Sequence, residues 1–478
     1  MNGLTARGRG AFCLLPALFF LSIISFFSCS SRPNLSAREK SARALGRQAE
    51  LWARKIQAQK AAAVDEYAKS LSERERLAQL FVINLEGDKE FWFVERVDDD
   101  EQNASQAQDP AGGKSSKAKK GRPLIPGGYI FFSFNIARDP GQIAAFCDSV
   151  RDFARKENCL EPFLCLDAEG GYVNRLRFVA GPLPENEWVA KNIPLHDAAR
   201  LYALNAAQIS ALGFDLNLSP VVEVQNERNQ KFLDGRSFGS AEQVVSYASA
   251  ALLSYKHGGV GAVLKHFPGN GEADPHVSLP LLEMSEEEFS RDVLEPFCAL
   301  VQTKPCGVLM SHALVTVLQD AGGQNFSQAQ KAAAATPASL SPYWIQEILR
   351  ARLGFKGLVF SDDIFMAALE KNGWPSERAV GQAIKAGVNC ILMSEKRFVN
   401  EWTLVKKLYK NDPAFKAACD DSVRRVINFK IDSGILEYDH SAQRVRPAQK
   451  RPPVQDRLAD FYEAKKINEE LVSKYEKK

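Results

Sequence analysis

One stretch of the sequence concentrates side chains that can transfer protons. Lys265 and His266 end an apolar run, and the Gly- and Pro-rich loop that follows carries Asp274 and His276. A carboxylate beside an imidazole fixes the tautomer of the ring and stabilises its cationic form. This pattern is typical of a proton shuttle, although Asp and His two residues apart are weak evidence when taken alone.

A second stretch presents two adjacent carboxylates, Asp362 and Asp363, at the end of a short apolar run. Cleavage of a glycosidic bond needs a carboxylate on one face of the sugar and a proton donor near the leaving oxygen. Asp362 and His276 are candidates for these two roles. Metal binding is the alternative, but no H-x-x-x-H or H-E-x-x-H spacing supports it.

A third stretch combines Asp167 with Arg175 across Gly170 and Gly171. Paired glycines allow the backbone to approach a ligand closely. A carboxylate and a guanidinium together can hydrogen-bond to sugar hydroxyls, although a glycine pair is also common in ordinary turns.

The elements that must position these residues alternate between strands and helices. Eight β-rich apolar runs alternate with stretches of helical period, which predicts a parallel α/β sheet. Eight such units favour a (β/α)₈ TIM barrel, and an open doubly wound sheet is the alternative. The eight runs are Leu80–Leu85, Tyr129–Phe134, Phe163–Asp167, Phe214–Val224, Val260–His266, Gly307–His312, Leu358–Asp362 and Val388–Ser394.

Active sites of barrels lie at the carboxyl ends of the strands. Most of the predicted strands end in ionisable or polar side chains, more than helix capping alone explains. These strand-end residues are Asp167, Glu169, Glu223, Lys265, His266, Ser311, His312, Asp362, Asp363, Ser394 and Glu395.

Taken in order, these segments resemble glycoside hydrolase family 3, in particular its β-N-acetylhexosaminidase (NagZ-type) branch. The likeness spans residues 70–435 and includes Pro126-Gly127-Gly128, the segment 167–175, Arg236-Ser237-Phe238-Gly239, the segment 265–276 and the segment 353–366.

The resemblance implies a TIM barrel, retaining hydrolysis, and no metal or other cofactor. It implies that Asp362 is the nucleophile and that His276, paired with Asp274, is the acid/base. It also implies that a terminal N-acetylglucosamine is held by Asp167, Arg175, Arg236, Lys265 and His266.

The loop before His276 departs from the family pattern. Asn270 stands in place of a histidine, Pro275 replaces Ser or Thr, and the loop is two residues shorter. We therefore expect a stiffer loop and an altered rate or specificity, with the Asp274–His276 pair intact.

The N-terminus has the zones of a secretory signal. Arg7 and Arg9 precede a mostly apolar run over residues 11–27, and small residues surround Cys29. We predict a signal peptide over residues 1–28, with Cys29 as the first mature residue and a lipidated membrane anchor. A retained N-terminal anchor helix is the alternative.

The rest of the chain divides into a helical spacer over 29–69, the barrel over 70–440 and a basic helical tail over 441–478. The tail either packs on the barrel or contacts an anionic membrane or wall polymer. The polar stretches 97–122 and 318–338 are predicted to be disordered loops.

A net charge of +3 is too small to argue for a nucleic-acid partner.

These observations favour an exported exo-acting β-N-acetylglucosaminidase for peptidoglycan fragments or related amino sugars. Two hypotheses stay open beside it: a weakly active or non-catalytic sugar-binding lipoprotein, and a β-glucosidase of the same family. Transfer of the sugar to phosphate instead of water also stays open, and the sequence does not indicate an oligomeric state.

Overall fold

A computed structural model describes residues 37–92, 94–97, 121–271, 279–318 and 327–477. The chain forms two compact units, one up to Ala58 and one from Gln59 onward. The predicted signal peptide, Cys29, Asp274, His276 and most of the predicted loop 97–122 lie outside the described residues.

In the described part of the chain, eight parallel strands form the central sheet: β1 Phe81–Asn84, β2 Gly128–Phe131, β3 Phe163–Leu166, β4 Leu216–Asn217, β5 Gly261–Phe267, β6 Gly307–Met310, β7 Leu358–Phe360 and β8 Ile391–Met393. Each lies within one of the eight predicted runs, except that β2 begins one residue before its run and β5 ends one residue after its run. Along the sheet the order is β7-β6-β5-β4-β3-β2-β1-β8, and parallel pairing of Phe360 with Cys390 joins its two ends. The predicted TIM barrel is therefore confirmed, and the alternative, an open doubly wound sheet, is wrong.

Alternate residues of each strand pack on opposite sides of the barrel wall. In β3, Phe163 and Cys165 belong to the inner core, whereas Leu164 and Leu166 pack in the outer core. Burial on both faces explains why the strands are nearly continuous apolar runs. Gly128 gives the inner core its room, because a Cβ there would lie 2.3 Å from the ring of Phe163.

Helices follow most of the strands, as the predicted helical periods require. Their bounds are Ala37–Ser70, Glu73–Ala78, Pro140–Lys156, Asn186–Asn192, Leu195–Leu212, Gln230–Leu233, Ala241–His257, Glu286–Phe289, Glu295–Val301, Gln328–Ala334, Ala367–Lys371, Ser376–Ala386, Phe398–Asn411, Pro413–Asp432 and Val454–Glu476. Short 3₁₀ segments are Ser133–Asn135 and Ala338–Leu340, and π-helical segments are Ser290–Leu294 and Tyr343–Arg352.

Among the described residues, four two-stranded sheets accompany the barrel. Three are antiparallel and one, made of Leu281–Ser285 and Leu314–Leu318, is parallel. The antiparallel pairs are Arg96–Val97 with Arg122–Pro123, Ala168–Gly170 with Val173–Asn174, and Leu436–Asp439 with Arg444–Pro447.

The prediction that residues 318–338 form a disordered loop is wrong for the part of this segment that the structure describes. Residues Gln328–Ala334 are helical, and Ser327 and Gln330 form a capping box at the start of the helix. The alanine run 332–335 favours a helix because alanine loses no side-chain entropy on helix formation.

The C-terminal tail packs on the barrel. Its helix Val454–Glu476 lies against Leu195–Leu212 and buries Phe461, Leu471 and Val472. The guanidinium of Arg457 donates to the Ala211 carbonyl at 2.9 Å. These contacts support the packing interpretation over contact with a membrane or wall polymer.

In the ranges that the structure describes, no helix has the length and apolar character needed to cross a bilayer.

Lys430 is a fully buried ammonium at the amino-terminal end of the barrel. Its Nζ donates at 2.6 Å to Gln79 Oε1 and at 2.6 Å to the Glu161 carbonyl, just before β1 and β3. Burial lowers the pKa of Lys430 to about 7, and Glu161 opposes this shift only in part. The folded protein therefore releases this proton at a pH where the unfolded chain still holds it.

We expect the Lys430→Met variant to reveal this proton in the pH dependence of stability. Between about pH 7 and about pH 10, the free energy of unfolding of the wild type should rise relative to the variant. The slope should approach about 1.4 kcal/mol per pH unit, because the unfolded state binds the extra proton. Urea unfolding at several pH values measures it. Lys60→Met, which removes an exposed partner of Asp432, is the control, and equal pH dependence in wild type and Lys430→Met would contradict the prediction.

Candidate active site

Lys265 is the centre of the site. It lies in β5, 5% exposed in its side chain, and its Nζ is 2.8 Å from Asp167 Oδ1 and 2.6 Å from Glu169 Oε1. Asp167 directly follows β3, and Glu169 comes two residues later. The carboxyl ends of β3 and β5 therefore supply a cation held between two carboxylates.

Two arginines extend this cluster. The guanidinium of Arg236 donates twice to Glu169, from Nε and Nη2, each at 2.8 Å. The guanidinium of Arg175 donates to Asp167 Oδ2 at 3.2 Å. Bidentate pairing fixes the plane of a guanidinium as well as its position, so Arg236 and Glu169 hold each other rigidly.

The charges in this cluster determine its ionisation. Burial disfavours the ionised form of Glu169, but Lys265 and Arg236 outweigh it and lower the pKa of Glu169 to about 2. Burial is likewise outweighed at Asp167, whose pKa lies below its ordinary value because of Lys265 and Arg175. At Lys265, the two carboxylates overcome burial and raise the pKa. All these groups are thus charged at neutral pH.

A tight hairpin presents these side chains. Strands Ala168–Gly170 and Val173–Asn174 pair around Gly170 and Gly171, whose φ values of 121° and 55° suit glycine. A Cβ on Gly170 would lie 2.3 Å from the Pro184 carbonyl oxygen. The Gly-Gly pair therefore serves to turn the chain in a crowded place and to bring Arg175 back beside Asp167.

His266 is oriented by a carboxylate of its own. Its Nδ1 lies 2.6 Å from Glu223 Oε1, while Glu223 Oε2 accepts the backbone N–H of Asn270 at 2.8 Å. Burial opposes ionisation of Glu223, but the hydrogen bond to His266 helps to lower its pKa below the ordinary value. An ionised Glu223 accepts a hydrogen bond from Nδ1–H of His266. Nε2 is then the ring nitrogen that can contact a ligand.

Asp362 and Asp363 follow β7 and differ in their surroundings. The backbone N–H of Asp362 donates to the Met310 carbonyl at 3.1 Å, which joins this segment to β6. Asp363 Oδ1 accepts the backbone N–H groups of Phe365 and Ser394 at 3.2 and 3.1 Å. Asp362 Oδ1 accepts only the N–H of Asp363 at 2.9 Å within the described part of the chain.

His312 links this segment to the rest of the site. Its Nε2 lies 3.0 Å from the Asp363 carbonyl and its Nδ1 lies 2.7 Å from Ser339 Oγ. Because a carbonyl only accepts, Nε2 carries the proton. Burial lowers the pKa of His312, which keeps the ring neutral, and the charges of both Asp362 and His266 act on it.

Two buried polar atoms of the site have no hydrogen-bond partner among the described residues. They are Nε of Arg175 and Oδ1 of Asn270. A buried polar group without a partner costs free energy. Both atoms are enclosed by protein, so this cost falls on the stability of the site.

The structure brings together the five residues predicted to hold a sugar: Asp167, Arg175, Arg236, Lys265 and His266. It places Asp362 at the end of β7, while Asp274 and His276 fall in the segment 272–278, outside the described residues. The predicted site omitted Glu169 and Glu223, although both appear among the strand-end residues. The only sequence feature that indicates a role for Glu169 and Glu223 is their position near a strand end. Their partners Arg236 and His266 lie 67 and 43 residues away in the chain.

In the part of the chain that the structure describes, no group of three or more His, Cys, Asp or Glu side chains is arranged to hold a metal ion. That the protein needs no cofactor stays a prediction.

The family model named "Glycosyl hydrolase family 3 N terminal domain" matches residues 125–429. The chain belongs to this family. It is therefore a glycoside hydrolase, and the family resemblance predicted from the motifs is confirmed.

Curated relatives agree with this assignment. The protein named "Beta-hexosaminidase" of Stenotrophomonas maltophilia (strain K279a) is 32% identical over 292 residues, which are 57% of this chain and 78% of that relative. The "Beta-hexosaminidase" of Tolumonas auensis is 34% identical over 278 residues, 57% of this chain and 76% of that relative.

Solved structures share the fold. A family 3 beta-N-acetylglucosaminidase from Paenibacillus sp. str. FPU-7 superposes with a TM-score of 0.63 at 23% identity, over 83% of this chain and 69% of that one. LpqI of M tuberculosis superposes with a TM-score of 0.60 at 25% identity, over 77% of this chain and 96% of that one.

The Glu169→Gln variant tests the energetics of the ion cluster. We expect it to lower the free energy of unfolding by about 3 kcal/mol at pH 7, because Arg236 loses its ionic partner in a buried site. The loss should shrink as the pH falls from about 4.3 towards about 2, since the wild-type carboxylate is then also protonated. Urea unfolding at both ends of this range measures the difference.

Glu187→Gln is the matched control for this experiment. It removes the same charge from an exposed i,i+4 pair with Lys191, where the loss should stay below about 1 kcal/mol. Equal losses in the two variants would contradict the central position given to Glu169.

Proposed function

We propose that this glycoside hydrolase is an exo-acting β-N-acetylglucosaminidase that removes terminal β-linked N-acetylglucosamine from peptidoglycan fragments or related amino sugars. The observation that carries the proposal is the rigid cluster around Lys265. Like Asp362, this cluster lies at the carboxyl ends of the barrel strands. The names of the curated relatives, at 32% and 34% identity over about three quarters of their length, support the substrate class.

The cluster has the chemistry that a terminal sugar requires. Sugar hydroxyls both donate and accept. Asp167 provides fixed acceptor oxygens, which lie 2.8 Å from the Lys265 donor and 3.2 Å from the Arg175 donor. Because these charged groups hold one another in place, they need little reorganisation on binding.

In the proposed reaction, a carboxylate oxygen of Asp362 attacks the anomeric carbon. The bond to the leaving oxygen breaks as His276 donates its proton to that oxygen, and a glycosyl ester on Asp362 forms. His276, now neutral and paired with Asp274, then takes a proton from water, whose oxygen attacks the same carbon and releases the ester. Two displacements on one carbon retain its configuration.

Asp362→Asn should lower the hydrolysis rate of an aryl N-acetyl-β-glucosaminide by about 10³-fold or more, because an amide cannot form the ester. With an activated aryl leaving group, His276→Ala should still form the ester but hydrolyse it slowly. Intact mass spectrometry of His276→Ala should therefore detect one covalently bound glycosyl group, which the double variant with Asp362→Asn lacks.

The same assay separates the proposal from its alternatives. Full activity of Asp362→Asn would overturn the assignment of the nucleophile. Faster cleavage of an aryl β-glucoside would identify a β-glucosidase, and N-acetylglucosamine binding without turnover would identify a sugar-binding protein. Release of a sugar phosphate when phosphate is added would identify a phosphorylase.

We also propose that the protein is exported and anchored through a lipid on Cys29. The basis is the sequence alone: Arg7 and Arg9, the apolar run over residues 11–27, and a cysteine two residues after the end of that run. In cells, a clickable fatty acid should label the wild-type chain, and Cys29→Ser should abolish the label. Equal labelling of both chains would refute the anchor.

A further inference from the structure

The N-terminal unit carries a stripe of apolar side chains along one side of its helix, and two of its large members are exposed. Between residues 45 and 58 the chain is helical, and Leu45, Ala49, Trp52 and Ile56 recur at intervals of four, three and four. This spacing places the four side chains on one face of a helix. Leu45 is 66% exposed and Trp52 is 70% exposed.

The same unit is strongly basic. Counted from the sequence, residues 37–58 contain six Lys or Arg and two Glu, a net charge of +4, whereas the whole chain carries only +3. Arg47 and Arg54 lie on the side of the helix away from the stripe, where both are exposed. A helix with Leu and Trp on one face and basic residues on the other is typical of binding at a membrane surface.

The stripe suits a lipid surface better than a second copy of the chain. It covers about three turns, which is shorter than the three or four heptads that a coiled coil sustains. Positive charge repels a second identical helix, whereas each Lys or Arg is attracted to anionic lipid headgroups. Tryptophan is also favoured at the boundary between headgroups and acyl chains.

We propose that the helix spanning residues 37–58 lies on the surface of an anionic bilayer, with Leu45, Trp52 and Ile56 inserted among the lipids. The inference does not depend on the hydrolase activity or on acylation of Cys29. A single acyl chain gives only marginal, reversible anchoring, and this helix supplies a second membrane contact.

The test uses the chain from residue 29 onward with Cys29→Ser, so that no acyl group contributes. Co-sedimentation with vesicles of phosphatidylglycerol and phosphatidylcholine should exceed that with phosphatidylcholine alone, and added salt should weaken it. Leu45→Ser and Trp52→Ser should each lower the partition coefficient by at least about fivefold.

Leu51→Ser is the matched control. Leu51 is the same residue type with nearly the same exposure, 65%, but it lies about 120° from Leu45 around the helix. The helix-propensity cost of Leu→Ser is the same at both sites, so only the face differs. Leu51→Ser should change partitioning by less than about twofold.

Three results would overturn the proposal. One is the absence of a preference for anionic vesicles, and another is an equal effect of Leu45→Ser and Leu51→Ser. The third is dimerisation in the absence of lipid that Leu45→Ser abolishes and Leu51→Ser does not, which would assign the stripe to a second copy. Hydrolysis of a soluble aryl glycoside should be equal in all variants and shows that the barrel is folded.

Discussion

The placement of one ammonium group between two carboxylates constrains the rest of the site. Lys265 is buried in β5, where an unpaired charge would cost several kcal/mol. Asp167 and Glu169 balance it, but two carboxylates against one ammonium leave a negative excess. Arg175 and Arg236, one on each carboxylate, outweigh that excess, and the five side chains together carry a net charge of +1. The five side chains therefore depend on one another: each charge is balanced by an oppositely charged neighbour that holds it in place.

The barrel wall supplies the rigidity that such a cluster needs. Strand β4 separates β3 from β5 and contributes only two residues, Leu216 and Asn217. The Asn217 amide accepts from the Ala168 N–H at 2.9 Å and donates to the Ala168 carbonyl at 3.0 Å. Ala168 lies between Asp167 and Glu169 in sequence. A side chain of the intervening strand thus holds the peptide from which both carboxylates project towards Lys265.

Sequence reasoning predicted the fold because each strand is a local pattern: a short β-rich run between helical stretches. It predicted that polar residues gather at one end because barrel topology places all strand ends together. It did not predict that Glu169 pairs with Arg236, since that choice depends on side-chain geometry across 67 residues. The helix Gln328–Ala334 differs for another reason: it lies in a stretch of low complexity, which is typical of disorder, but its alanine run favours a helix.

The neighbouring carboxylates at the end of β7 have different surroundings. Asp363 points its Oδ1 at two backbone N–H groups, and burial raises its pKa despite those hydrogen bonds. Its backbone carbonyl also accepts from His312. The hydrogen bonds of Asp363 therefore stabilise the chain segment that follows β7. Asp362 has no such structural role, because its backbone N–H is fixed by the Met310 carbonyl while its carboxylate makes one hydrogen bond to the described chain. A nucleophile needs a fixed backbone and an uncommitted oxygen, and of the two residues only Asp362 offers both.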